Sequence, residues 1–145
     1  MLTIRPLESR DHADWRRLWT LYLAFYETVL PEEIYETHWR RLLGDDPQDF
    51  HGLIAEKDGA ALGLTHYVFH RHGWKIENTC YLQDLYVDEA ARGTGAGRAL
   101  IEAVYAAADA AGCPSVYWLT QDFNATARRL YDRVAKKTPF IVYRR

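Results

Sequence analysis

The fold of this chain is decided by one stretch, which reads Tyr81-Leu82-Gln83-Asp84-Leu85-Tyr86-Val87-Asp88-Glu89-Ala90-Ala91-Arg92-Gly93-Thr94-Gly95-Ala96-Gly97-Arg98. Aromatic and aliphatic residues dominate its beginning and predict a strand over 79–87. The closely spaced glycines that follow predict a loop. Apolar residues then recur at helical spacing as far as Gly112 and predict a helix, its inward face made of Leu100, Ile101, Val104, Tyr105 and Ala108.

A further strand is predicted over 115–120, directly after that helix. A strand, a helix and a strand in this order form a unit with parallel strands and a right-handed crossover. Ligands of such sheets bind beyond the carboxyl ends of the parallel strands, which here is the loop after Val87. Its glycines let backbone N–H groups converge at a helix N-terminus, an arrangement that suits a pyrophosphate. The loop matches neither the Walker pattern nor the dinucleotide fingerprint, because no Gly-Lys-Ser/Thr follows and Arg98 stands where a glycine is required.

Working outward, the N-terminal part predicts a strand over 2–4 and two helices. Asp11 is the expected N-cap of the first helix, and Pro31 opens the second, which ends at Gly44. Each helix has one apolar face, made of Trp15, Leu18, Trp19, Tyr22, Leu23 and Tyr26 in the first and of Tyr35, His38, Trp39 and Leu42 in the second.

Antiparallel strands are predicted over 51–56 and 60–69, joined by the Asp58-Gly59 turn. Asn124 caps a last helix, whose inward face is Ala127, Leu130, Tyr131 and Val134, and a final strand is predicted over 140–143. The order is therefore β-α-α-β-β-β-α-β-α-β. It predicts an α/β (α+β) fold with a mixed central sheet and helices on both faces.

Length and composition limit the class of protein. The 145 residues are expected to form a single domain, 1–145. A net charge of -2 gives no indication of nucleic-acid binding, and no apolar stretch is long enough to predict a membrane span. Cys80 and Cys113 have no metal-site spacing and are expected to be buried free thiols, so a cytoplasmic location is predicted.

The loop carries a specific resemblance. Arg92-x-x-Gly95-x-Gly97 resembles the pyrophosphate-binding motif R/Q-x-x-G-x-G/A of the GCN5-related N-acetyltransferases (GNAT superfamily). Within that superfamily the chain is most similar to the diamine/thialysine and yeast histone/polyamine acetyltransferases. The segments that carry this likeness are Phe25-Tyr26-Glu27, Tyr81 to Val87 and Asn124 to Tyr131.

The resemblance implies acetyl-CoA as co-substrate and assigns residues to it. Pantetheine is expected to pair with the backbone of Leu85, Tyr86 and Val87. The pyrophosphate is expected on the loop, formed by Arg92, Gly93, Thr94, Gly95, Ala96, Gly97 and Arg98. Asn124 and Ala127 are expected to contact the cofactor, and Tyr131 is expected near the thioester sulfur.

Two features depart from the family pattern. Diamine acetyltransferases have a Glu-Asp pair where this chain has Gln83-Asp84, so an expected carboxylate is an amide here. The family also has two strands after the last helix, whereas only 140–143 is predicted to form one here. Because an apolar strand edge invites pairing with another chain, a homodimer with this strand at its interface is expected.

The chemistry of acetyl transfer selects the candidate catalytic residues, Tyr131 and Asp84. A phenol is protonated at neutral pH and can give its proton to a departing thiolate, so Tyr131 is the expected general acid; the alternative is a core tyrosine. Asp84, Glu77 and Glu27 are the candidate carboxylates that could bind the substrate ammonium or accept its proton. The alternative for Asp84 is a structural ion pair with an arginine. The resemblance, together with the need for an anion to hold a cation, implies substrate binding at Tyr26, Glu27, Gln83 and Asp84. No metal ligand is predicted.

The sequence therefore predicts an acetyl-CoA-dependent N-acetyltransferase that acts on a primary amine, with direct transfer and Tyr131 as the acid. The acceptor is expected to be a small amine, a polyamine or a lysine-like amine. Two alternatives stay open at this stage: a protein or peptide N-acetyltransferase, and a non-catalytic acyl-CoA-binding module. The second would need the loop but neither Tyr131 nor Asp84.

Overall fold

A computed structural model describes residues 1–145 and contains a five-stranded sheet with the order β1-β2-β3-β4-β5. The strands are β1 (Leu2–Pro6), β2 (His51–Lys57), β3 (Ala60–His70), β4 (Thr79–Val87) and β5 (Val116–Tyr117). The first four are paired antiparallel, whereas β5 runs parallel to β4. The sheet is therefore mixed, as the sequence predicts.

Four helices cover the two faces of this sheet: α1 (His12–Phe25), α2 (Glu32–Leu42), α3 (Ala96–Ala110) and α4 (Ala125–Val134). The helices α1 and α2 share one hydrophobic core with the sheet, centred on Trp15, Leu18 and Leu64. The helices α3 and α4 share the other core, in which Leu100, Ile101 and Val104 are fully buried. No helix is both long enough and apolar enough to cross a membrane.

Two predicted strands differ from the structure. The strand expected over 115–120 is reduced to Val116–Tyr117, which pairs with β4 only at Cys80 and Tyr81. The strand expected over 140–143 does not form, and its four apolar side chains are exposed. Apolar composition alone was the signal for this strand, and a strand also needs a hydrogen-bonding neighbour, which the five-stranded sheet does not provide.

A β-bulge in β4 changes which side chains share a face. Tyr67 of β3 is opposite Leu82, whereas the preceding residue, His66, is opposite Asp84, so Gln83 has no partner on β3. Leu82 faces the core of α3, while Asp84 faces α1 and α2. Sequence alternation placed Leu82 and Asp84 on one face, and this prediction was wrong because the extra residue of a bulge reverses the alternation.

Candidate active site

The carboxyl end of β4 is open on the side of β5. Pairing between these strands stops at Tyr81, although β4 continues to Val87. The backbone of Leu85, Tyr86 and Val87 therefore lies on a stretch of strand that β5 does not cover. This is the part of β4 at which the pantetheine arm is expected.

The glycine loop has the backbone conformation of an anion cradle. Gly93 and Gly95 have φ values of 85° and 86°, in the left-handed region that L side chains rarely adopt. Gly95 is the N-cap of α3, and the first intrahelical bond runs from the Ala99 N–H to the Gly95 carbonyl. The N–H groups of the first turn are thus without helical acceptors and point out of the helix end, where they favour an anion.

Side chains around the loop are consistent with the same use. Arg92 donates from Nε to the Val87 carbonyl at 3.4 Å and forms no salt bridge, so its charge is available to a phosphate. Arg98 instead donates to Glu102 at 2.8 Å. Gly97 packs closely against α4, because a Cβ there would lie 3.3 Å from Leu130 Cδ2 and this side chain would have to shift. Thr94 is exposed, Ala96 is buried, and the Thr94 hydroxyl donates to the Ala91 carbonyl at 2.6 Å.

The helix α4 packs beside the glycine loop, since Leu130 is the nearest side chain to Gly97. Asn124 caps this helix as the sequence predicts, its side-chain oxygen accepting from the Ala127 N–H at 3.5 Å. Two turns after Asn124, Tyr131 is partly buried, with its ring 5.4 Å from that of Trp118. Its hydroxyl forms no hydrogen bond within the chain, in contrast to that of Tyr105, which donates to the Val134 carbonyl at 2.8 Å. Burial, with a smaller effect of Tyr26, raises the pKa of Tyr131 to about 12.

On the opposite face of β4 lies a cavity of about 380 Å³ between the sheet, α1 and α2. Its wall includes two of the expected substrate-binding residues, Gln83 and Asp84. The remaining residues of the wall are Trp19, Tyr22, Leu23, Leu30, Ile34, Thr37, His38, Arg41 and Phe50. The cavity has the size and mostly apolar lining of a small-molecule site.

Asp84 is 6% exposed and is held by histidines, not by the arginine that the alternative interpretation expected. The Nδ1 atom of His66 lies 2.8 Å from Asp84 Oδ2, and His38 Nε2 lies 3.1 Å from that same Nδ1. Burial opposes the charge of Asp84, but contacts with His38 and His66 outweigh it and hold the pKa of the carboxyl below its usual range. Asp84 is therefore a buried anion at the wall of the cavity.

The proton positions in this cluster follow from Trp15. Its indole N–H, which can only donate, lies 3.0 Å from Nε2 of His66. His66 must therefore accept at Nε2 and carry its proton on Nδ1, from which it donates to Asp84. Burial lowers the pKa of His66 despite the adjacent carboxylate, in agreement with a neutral ring.

The hydroxyl of Tyr26 interacts electrostatically with both Asp84 and Tyr131. Tyr26 caps the C-terminus of α1, and its pKa is raised by burial and by the charge of Asp84. The same hydroxyl contributes to the raised pKa of Tyr131. Glu27 is exposed, with φ at 53°, and does not line the cavity. Glu77 is exposed as well.

Three residues of this site were not predicted from the sequence: His66, Trp15, which donates a hydrogen bond to His66, and Arg41. A polar residue among apolar neighbours in the strand Leu64-Thr65-His66-Tyr67 was the available signal for His66. The prediction that the two cysteines are free and buried is confirmed.

The model of the acetyltransferase (GNAT) family matches residues 15–135 of this chain. A D-amino-acid N-acetyltransferase of Saccharomyces cerevisiae is 40% identical over 146 residues, which cover 99% of this chain and 90% of the yeast protein.

Two solved structures illustrate the shared fold. The aminoglycoside acetyltransferase AAC(6')-Iy, in complex with a bisubstrate analogue of CoA, has a TM-score of 0.85 at 19% identity and covers 100% of this chain and 97% of its own. The ribosomal-protein-alanine N-acetyltransferase of Brucella melitensis biovar Abortus has a TM-score of 0.78 at 22% identity, over 99% and 97% of the two chains. The chain therefore belongs to the acetyltransferase (GNAT) family and is an N-acetyltransferase with acetyl-CoA as its co-substrate.

Proposed function

We propose that this enzyme acetylates the primary amine of a free amino acid by direct transfer from acetyl-CoA. The observation that carries the proposal is Asp84, a buried and ionised carboxylate in the wall of the cavity beside β4. A single buried anion is the group that a substrate ammonium needs. The 40% identical yeast relative, a D-amino-acid N-acetyltransferase, supports the amino-acid class.

Acetyl-CoA supplies the activated acetyl thioester, and the chain offers a binding surface that fits it. The free N–H groups at the start of α3 and the unpaired Arg92 would hold the pyrophosphate, with the rest of the loop as far as Arg98. The uncovered backbone of Leu85 to Val87 would accept the pantetheine arm. Asn124 and Ala127, at the start of α4, would contact it from the other side.

Asp84 is assigned to the ammonium. The ammonium group of a free amino acid is mostly protonated near neutral pH, and only the neutral amine can attack a thioester. A carboxylate with a lowered pKa is a weak proton acceptor but a good partner for the cation. Asp84 therefore binds and orients the ammonium while its proton leaves to water in the cavity, and the resulting amine attacks the thioester carbonyl.

Tyr131 is assigned as the general acid. Its raised pKa keeps it protonated at neutral pH, and its hydroxyl has no acceptor within the chain. When the carbon–sulfur bond breaks, Tyr131 donates its proton to the thiolate and is reprotonated from solvent. A tyrosine that served only the core would be expected to use its hydroxyl as Tyr105 does.

The substitution of Gln83 for a carboxylate limits the charge of the acceptor. One anion in the cavity favours a singly charged ammonium over a polyamine. Tyr26 does not line the cavity, but its hydroxyl interacts electrostatically with both Asp84 and Tyr131. It would contact the substrate near the reacting nitrogen, whereas Glu27 would act only at the entrance. The small volume of the cavity favours a free amino acid over a protein acceptor.

A panel of acceptors tests this function. Thermal shift with acetyl-CoA measures donor binding, and release of free thiol measures turnover with D- and L-amino acids, simple amines, polyamines and a lysine peptide. We expect turnover to be highest with amino acids. A preference for spermidine or for the peptide would contradict the proposal.

We further propose that the enzyme is a cytoplasmic homodimer. Burial raises the pKa of the Cys80 thiol to about 12, and both cysteines are free, as expected in a reducing compartment. The side chains of 140–143 are between 63% and 90% exposed and would be covered by pairing with a second copy. Light scattering should give twice the chain mass of 16.9 kDa, and a monomer at micromolar concentration would refute the dimer.

A further inference from the structure

One face of α2 forms the wall of the cavity opposite β4. Ile34, Thr37, His38 and Arg41 are spaced at i, i+3, i+4 and i+7, and all of them line the cavity. Asp84 and Gln83 line it from the strand. The cavity therefore has one anionic wall and one wall that presents polar groups from a single helix.

Arg41 is a cation without an acidic partner. The two arginines of α1 are paired: Arg16 binds Glu32, and Arg17 donates to Asp88 at 3.0 Å. Arg40 of α2 is unpaired as well, but it does not line the cavity. Arg41 forms no salt bridge and no side-chain hydrogen bond within the chain, yet it lies at the cavity wall. A guanidinium presents a planar fork of N–H groups that matches the two oxygens of a carboxylate.

Thr37, one turn before Arg41 on the same wall, adds a second donor, because its hydroxyl forms no hydrogen bond within the chain. His38 is engaged with the opposite wall instead: its Nε2 atom lies 3.1 Å from His66 Nδ1 and 3.9 Å from Asp84 Oδ2. The α2 wall thus presents two groups, Arg41 and Thr37, that can donate to one anion.

We infer that the cavity recognises the zwitterion of an α-amino acid, with Asp84 on the ammonium and Arg41, assisted by Thr37, on the carboxylate. The apolar part of the wall, with Leu30 and Phe50, would then receive an apolar side chain. This inference rests on the proposed function and adds to it a carboxylate subsite on α2. It explains how the enzyme would distinguish amino acids from amines of equal size.

The test compares two acceptors that differ in the carboxylate: D-phenylalanine and 2-phenylethylamine. Thiol release is measured for wild type, Arg41→Gln and the matched control Arg40→Gln, which changes the neighbouring exposed arginine outside the cavity. We expect Arg41→Gln to raise KM for D-phenylalanine by about 30-fold or more, as for a lost charge-assisted contact, and to change KM for 2-phenylethylamine by less than about 3-fold. Arg40→Gln should resemble wild type with both.

A charge-reversed variant guards against a loss caused by misfolding. Arg41→Glu should lose D-phenylalanine turnover and gain activity with a diamine, whose second ammonium would occupy the place of the carboxylate. Equal effects of Arg41→Gln on KM for both acceptors would overturn the subsite alone. So would an unchanged KM for D-phenylalanine in Arg41→Gln, if the wild-type enzyme acetylates D-phenylalanine. A wild-type enzyme that prefers 2-phenylethylamine would also overturn it. Turnover of neither acceptor would overturn the proposed function and the subsite together.

Discussion

The two proposed sites lie on the two sides of β4 and are built in different ways. The cradle at the start of α3 is contiguous in sequence, and its proposed binding groups are mostly backbone N–H groups set by Gly93 and Gly95. The cavity is lined by α1, α2 and β4, and its proposed binding groups are side chains, of which Asp84 is held by a hydrogen bond from His66 of β3.

This difference has physical consequences. A backbone cradle is insensitive to most side-chain substitutions, but it fails when a residue cannot adopt its φ value. A buried side-chain cluster depends on each of its members, because removing one leaves another polar group unsatisfied. The donor site should therefore fail at single glycines, whereas the acceptor site should respond to charge and to pH.

The largest effect is expected from Gly95→Asp. An aspartate at a φ of 86° is strained, and its carboxylate would repel the pyrophosphate. We expect acetyl-CoA binding, measured by calorimetry, to be abolished. Gly112→Asp is the matched control, since Gly112 has a φ of 73° and follows the C-terminus of α3, at the end of this helix opposite the cradle. Unchanged CoA affinity in folded Gly95→Asp would contradict the assignment of the cradle.

A smaller effect is expected from substitution of Tyr131, the proposed general acid. Tyr131→Phe removes the proton donor and should lower kcat by about 10²-fold, with the affinity for acetyl-CoA unchanged. Tyr105→Phe, which removes a hydroxyl bonded to the Val134 carbonyl, should leave kcat near the wild-type value. An unchanged kcat in Tyr131→Phe would mean that water protonates the thiolate.

The difference between a site made of neighbouring residues and one assembled by the fold also explains which features could be predicted from the sequence. The strand Thr79–Val87, the loop and the Asn124 cap were predictable because each depends on neighbouring residues. The bulge at Gln83 was not, since regular alternation carries no sign of an extra residue. The histidine cluster joins residues 18 and 28 positions apart, a proximity that only the assembled sheet and α2 create.

The smallest effect concerns pH and the side-chain cluster. The folded pKa of His66 lies below the ordinary value of ~6.5, so below that pH the unfolded chain takes up a proton that the folded chain does not. The free energy of unfolding should therefore fall as pH falls from 6.5, by up to about 1.4 kcal/mol per pH unit from this group.

Urea unfolding of wild type and His66→Gln between pH 7.5 and pH 5 checks this, with His70→Gln as an exposed control. Asp84, whose folded pKa is lowered, also contributes to the free energy of unfolding, and that contribution is complete above about pH 3.9, the ordinary pKa of aspartate. It is lost only at lower pH, outside the range measured. Titration of the His66 ring by NMR within the folded protein, near pH 6.5, would contradict the expected neutral ring even if His66→Gln does not fold.

Asp84→Asn tests most directly the central claim that donor and acceptor are held by separate structures on the two sides of β4. The substitution keeps the shape of the side chain and removes the charge that binds the ammonium. We predict that kcat/KM for the amino acid falls at least ~10-fold, as expected for a lost charge-assisted contact, while the Kd for acetyl-CoA stays within about two-fold of wild type. A full kcat/KM in Asp84→Asn, or a parallel loss of acetyl-CoA affinity in the folded variant, would contradict it.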